Sequence, residues 1–157
     1  MLHLKGGKFV FDESMVKNDP LTNFKDMWSG EISLARLYKH CVHVFSDQAL
    51  KDIALYCGQM HEANAETLSA HIYALGGEAH HIDLWHSIVH VPDLVVALFG
   101  TGLSEMMFHK LECDRLSEYM DKLSTVENED LAILQDKILP NQEKCFEVWK
   151  AREPQQT

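Results

Sequence analysis

Residues 60–77 read MHEANAETLSAHIYALGG, and the fold turns on how this stretch is placed. It ends in Gly76-Gly77, and helices commonly stop where a glycine takes the left-handed conformation that other residues avoid. Counting back from there in alternating steps of four and three gives Cys57, His61, Asn64, Leu68, His71 and Leu75, one face of a helix. An inward face is ordinarily apolar. This one carries two imidazoles and an amide, groups that must be hydrogen-bonded or must hold something if buried.

Working outward, Ser46-Asp47 supplies a capping residue, so the spacing predicts a helix B over 47–75. Asp19-Pro20 opens the preceding helix A, a cap followed by a proline whose missing N–H costs nothing in the first turn. Its seam is Leu21, Phe24, Trp28, Glu31, Ala35, Tyr38, Val42 and Phe45, charged only at Glu31. The turn between A and B is so short that the two must be antiparallel neighbours. Downstream, Asp93 caps a helix C over 93–124 with seam Leu98, Gly102, Glu105, His109, Glu112, Leu116, Tyr119 and Leu123. A helix D over 127–151 has seam Leu131, Leu134, Ile138, Gln142, Cys145 and Trp149, and Pro140 should kink it.

The link from Gly76 to Pro92 is too long for a hairpin connection. A helix of roughly 28 residues is about 42 Å long, and roughly 17 extended residues reach about 56 Å. The link can therefore cross the length of the molecule. The expected architecture is all-α: one four-helix bundle over 19–151, two helix pairs joined by a long crossover between B and C. An N-terminal arm over 1–18, in which residues 9–11 are extended, precedes it. A frayed, disordered tail over 152–157 follows.

The two halves match without a gap. Glu31 and Glu112 lie 81 residues apart, as do Tyr38 and Tyr119. The same offset carries His61 onto Gln142, Asn64 onto Cys145, Leu50 onto Leu131 and Ile53 onto Leu134. Each half is a helix pair with Glu and Tyr seven apart on its first helix, which points to an internal duplication.

Bulk properties narrow the function classes. With 157 residues, 46% of them apolar, the chain can bury one sizeable core. A net charge of −10 argues against nucleic acid and against anionic membrane surfaces as partners. No apolar run reaches membrane-spanning length and no signal peptide is evident, so a cytoplasmic protein is expected. The four cysteines, all within predicted helices and without a C-x-x-C, read as buried thiols in a reducing compartment. No phosphate loop, G-x-S-x-G or rubredoxin-type cysteine pair is present. Leu34, Leu37 and Val44 lie off the main stripe, and their expected exposure points to a homodimer.

At these residues the chain resembles the ferritin-like superfamily, and within it the rubrerythrin-type proteins. The resemblance covers residues 20–150. It implies a Glu from the first helix of each half and Glu-x-x-His from the second, six side chains holding two metal ions. Glu31 and Glu112 match the first-helix ligands, and Tyr38 and Tyr119 resemble tyrosines common near such sites. Helix B has His61-x-x-Asn64 in place of Glu-x-x-His, and helix D has Gln142-x-x-Cys145. The bridging carboxylates are missing, and two dications need about three or four carboxylates for charge balance. A standard di-iron site is therefore not expected.

Three readings stay open, one of them a helical bundle unrelated to that superfamily; the other two concern the polar core. One is a single Fe, Mn or Zn ion held by Glu31, His61 and Glu112, with His109 one turn before Glu112 and Cys145 adding a thiolate, in an oxidoreductase or metal-handling protein. The other is a metal-free bundle acting in binding, its carboxylates held by His61, Gln142, Asn64 and the tyrosines. No organic cofactor is expected. His71 reads as a packing residue, and His80, His81, Asp83, His86 and His90 as a histidine-rich loop. Glu105 is either close to the site or at the open end of the molecule.

Overall fold

The computed structural model describes residues 2–5, 8–11, 19–79, 90–124, 126 and 128–152; for 2–5, 8–11, 90–104 and 128–129 the description is of the backbone. The described architecture is helical apart from one short hairpin. Strands β1 (Leu2–Lys5) and β2 (Lys8–Phe11) pair antiparallel, Leu2 opposite Phe11 and Lys5 opposite Lys8. Helix α1 spans Pro20–Val44, α2 Gln48–Ala74 and α3 His90–Leu123. The fourth helical segment comprises α4 (Asn128–Ile133), a π turn over Leu134–Ile138, and α5 (Leu139–Lys150).

The helix starts follow local chemistry. The Asp19 carboxylate accepts from the Thr22 N–H at 3.1 Å and from its hydroxyl at 2.7 Å, which lowers the Asp19 pKa. Asp47 accepts from the Leu50 N–H at 3.0 Å. At the far end of α2, Gly76 takes φ +79°, and the Gly77 N–H reaches back to the Ile72 carbonyl at 2.9 Å. That is the glycine stop expected of the LGG sequence. Helix α3 begins at His90, earlier than Asp93, and carries Pro92 in its first turn, where proline is tolerated. The kink expected at Pro140 takes the form of the π turn. The Leu139 N–H bonds the Leu134 carbonyl, five residues back, so Pro140 stands in the first turn of a new helix.

Contacts fix the helix directions. Asn23 meets Lys122, Met27 meets Arg115 and Tyr38 stacks on Phe108, so α1 and α3 are antiparallel. His71 meets Asp130 and Asn64 meets Asn141, so α2 runs antiparallel to the fourth segment. Since α1 and α2 are joined by a tight turn, α2 and α3 run in the same direction, and the end of α2 and the start of α3 lie at opposite ends of the molecule. The connecting residues 80–89, with His80, His81, Asp83 and His86, lie outside the described residues.

Two apolar clusters fill the interior. One contains Phe24, Met27, Leu68, Ile72, Tyr119 and Ile138. The other contains Tyr38, Phe45, Leu50, Phe108, Cys145 and Trp149. The buried polar residues Glu31, His61, Asn64, Glu112, Arg115 and Gln142 lie with them in the interior.

Several seam positions differ from expectation. Leu75 is 42% exposed and Ile72 closes the α2 stripe instead, because the helix ends at Ala74. On α3, among residues 105–123, the buried positions are Phe108, Glu112, Arg115 and Tyr119, and His109 and Leu116 are half-buried; the side chains at the expected seam positions Leu98 and Gly102 lie outside the described residues. Leu34 is buried, and Leu37 and Val44 are half-buried, so they are not the exposed apolar residues. Cys41, Cys57 and Cys145 are buried, but Cys113 is exposed; none forms a disulfide. Among the described residues no helix is long and apolar enough to cross a membrane.

Candidate polar core site

The site grows from two carboxylates on facing helices. Glu31 on α1 and Glu112 on α3 are both fully buried, and His61 on α2 stands between them. Its Nδ1 lies 2.8 Å from Glu31 Oε2 and its Nε2 lies 3.1 Å from Glu112 Oε1. Both acceptors are carboxylates, so both ring nitrogens donate, which only the imidazolium does. Burial works against that charge, but Glu31 and then the hydrogen bonds outweigh it and raise the His61 pKa to about 10. The Tyr38 ring stacks on His61 at 5.5 Å and 11°.

The tyrosines are exchanged between the halves. Tyr119 donates to Glu31 Oε1 at 2.6 Å, and Tyr38 donates to Glu112 Oε1. Each half therefore caps the other half's carboxylate, as the 81-residue offset would require of a two-fold arrangement. Burial first, then the carboxylate beside each, pushes both phenols well above their ordinary value.

The carboxylates differ in what else they meet. Arg115 Nε donates to Glu31 Oε1 at 2.9 Å, and its other nitrogens reach Glu118 at 2.6 Å, Tyr119 at 3.1 Å and the Met27 carbonyl. Burial would raise the Glu31 pKa, but His61 and then Arg115 hold it down to about 2. At the offset position of Arg115 in the first half stands Leu34, so Glu112 has no such cation. It receives Gln142 Nε2 at 2.5 Å. Beside it lie Cys57 and Cys145, and the two sulfurs and a Glu112 oxygen are all within 4.8 Å of one another. Hydrogen bonding with Cys57 and then burial push the Cys145 thiol well up.

The structure thus joins Glu31, His61, Glu112 and Cys145, four of the residues singled out in the sequence. The fifth, His109, lies against Phe146, ring centroids 5.2 Å apart, and is half-buried. Asn64 does not reach the carboxylates; its carbonyl accepts from Asn141 at 3.0 Å. Glu105 is at the far end, paired with Arg152 at 2.6 Å, which docks the first residue of the expected tail. His71 is more than a packing residue, since its Nε2 meets Asp130 at 2.6 Å while its ring edges onto Phe24. Arg115 and Cys57 also stand at this site; pattern reading did not single out Arg115, and it placed Cys57 on the helix B seam without counting it a site residue. The signal for Arg115 was its place between Glu112 and Tyr119, three and four residues away.

The metal pair implied by the family resemblance does not fit these residues. Glu31 has one oxygen taken by Arg115 and Tyr119 and the other by His61. Two carboxylates, one imidazolium and one guanidinium already sum to zero charge. A dication added between Glu31 and Glu112 would sit against a fixed guanidinium. Searches against protein families, curated proteins and solved structures returned no match.

Proposed function

We propose that the chain is a ferritin-like four-helix bundle in which two-metal chemistry has been replaced by a charge-balanced core, so that it acts as a binding protein and not as an oxidoreductase. The observation that carries this reading is Arg115, buried against Glu31 at 2.9 Å with Tyr119 on the same oxygen. A hard dication on this carboxylate would stand beside a fixed guanidinium, and releasing the carboxylate to it would strand that buried cation. The buried thiols, none of them in a disulfide, fit a reducing compartment such as the cytoplasm. The partner expected is a second copy of the chain.

The test is anaerobic titration with Fe(II) and Mn(II), followed by exposure to oxygen. The expected result is no stoichiometric uptake and no oxygen consumption above buffer, while Glu31→Ala lowers stability without changing metal content. Uptake of one Fe or Mn ion per chain that Glu31→Ala removes would overturn it. That outcome would favour the second reading, a single ion held by Glu31, His61 and Glu112, for which the support is His61 touching both carboxylates at once.

A further inference from the structure

We propose that Cys57, Cys145 and Glu112 form a site for one thiophilic divalent cation of the zinc class. This deepens the binding reading above and rests on its statement that Glu31 stays engaged with Arg115.

The argument starts from the asymmetry between the halves. Glu31 has a resident cation in Arg115, and Glu112 shares His61 with Glu31 and otherwise meets, among the described residues, the neutral donors Tyr38 and Gln142. In place of a cation, the Glu112 side has two thiols. At the offset positions Cys57 corresponds to Ile138 and Cys145 to Asn64, so the thiols gather on one side only. They come from different helices, Cys57 from α2 and Cys145 from α5, with Glu112 from α3, and all three residues are buried. Three rigid elements thus aim ligand atoms at one small volume.

The distances suit a thiolate site. Zinc bonds sulfur at about 2.3 Å and carboxylate oxygen at about 2.0–2.2 Å, so its tetrahedral ligands stand roughly 3.8 Å apart. The three atoms lie within 4.8 Å of one another, and side-chain rotation of an ångström or less would close them on an ion. A second observation points to the same place. Gln142 is fully buried, its amide nitrogen is on Glu112 Oε2, and its Oε1 has no hydrogen-bond donor among the described residues. Gln142 stands one turn before Cys145 on the same helix. A buried amide oxygen without a partner is costly, and a neighbouring cation would relieve it.

Charge also balances. One divalent ion entering as two thiol protons leave keeps the core neutral, with the His61, Glu31 and Arg115 contacts intact. Two thiolates and one carboxylate select zinc-like ions over magnesium, calcium or manganese. The apolar surroundings, Tyr38, Phe108 and Trp149 stacked in series, keep competing water away.

Cobalt(II) serves as the probe, added anaerobically to the reduced full chain. The expected result is thiolate-to-cobalt charge-transfer absorption that saturates at one ion per chain and is displaced by equimolar zinc(II). Cys57→Ser and Cys145→Ser should each weaken binding at least tenfold, Glu112→Gln less, and Cys113→Ser, which removes the exposed thiol, not at all. Should the buried variants fold poorly, a zinc-induced rise in the melting temperature of the unaltered chain, absent with magnesium, supports the same site. No charge-transfer band, or a band lost in Cys113→Ser and kept in Cys145→Ser, overturns the proposal. A cobalt band together with Fe(II) uptake that Glu31→Ala removes would sink the closed-carboxylate reading while the thiol site stands. Absence of both would do the reverse.

Discussion

Removing the Arg115 guanidinium would leave Glu31 buried with one cation where it now has two. Arg115→Met should therefore cost about 3–5 kcal/mol, the usual cost of breaking a buried pair from one side, measured by urea denaturation. Arg115→Lys should recover little of that, because a lysine cannot reach Glu31, Glu118, Tyr119 and the Met27 carbonyl at once. The same fork explains Gly30. A Cβ there would come within 2.7 Å of the Arg115 guanidinium, so Gly30→Ala should destabilise by about 1–3 kcal/mol as that fork is displaced; an unchanged denaturation midpoint would refute the packing. His61 gives the pH dependence. Its folded-state pKa is raised from 6.5 to about 10, so the stability it adds is complete below about pH 6.5 and is lost as pH rises through about 10. Glu31 is the opposite case: lowered from 4.5 to about 2, it adds stability above about 4.5 that is lost as pH falls through about 2. In a series of urea midpoints, His61→Gln should flatten the alkaline limb and also weaken the acid limb, because His61 is the foremost group holding the Glu31 pKa down. The glutamates, His61 and the tyrosines were legible because an identical offset linked them. Arg115 was not, because Arg115 and Leu116 both satisfy a helical seam through Glu112 and Tyr119, and apolar preference favoured the wrong one.

At the level of the element, capping explains the ends that the sequence showed well. Asp47 holds the Leu50 N–H at 3.0 Å, and Asp47→Ala should cost about 1 kcal/mol in thermal or urea unfolding. Pro140 separates two accounts of the fourth segment. A proline strained inside one continuous helix would cost about 3 kcal/mol, and its removal would stabilise the chain. Here the π turn supplies the Leu139-to-Leu134 bond and leaves Pro140 in a first turn. Pro140→Ala should then lower stability by about 0.4–1 kcal/mol, through the unfolded chain alone. A gain in stability would mean the π turn is forced by the proline. Periodicity could locate this helix but not the π turn, since Leu134, Ile138 and Gln142 recur every four residues with or without one inserted residue. The start of α3 was misplaced for a related reason: Asp93 has the chemistry of a cap, but Pro92 is equally at home inside a first turn.

For the whole molecule, the parallel course of α2 and α3 follows from a length that the sequence displayed, a link too long for a hairpin. What the sequence could not display was which apolar side chains remain outside: Leu34, off the main stripe, is buried, Val44 is half-buried, and Leu37 packs against the cluster that holds Phe108 and Trp149. One apolar surface among the described residues is a groove of about 330 Å³ between α1 and α2, lined by Ala35, Val42, Ala54 and Gly58, with Leu55 beside it 52% exposed. Lys39 and Glu62 also line it. A second copy seated on this groove would bury Leu55 on both sides, and Lys39 and Glu62 offer opposite charges to pair across it, the self-complementarity an isologous dimer needs. Light scattering should therefore give twice the 18.0 kDa chain mass. Leu55→Lys should return it to 18.0 kDa without changing the melting transition of the core. Added salt should weaken the association, because the Lys39–Glu62 pairs would lie at a solvent-exposed rim. A mass of 18.0 kDa for the unaltered chain at high concentration would rule out this dimer. The core network would be untouched by that result, since none of its contacts passes through the groove.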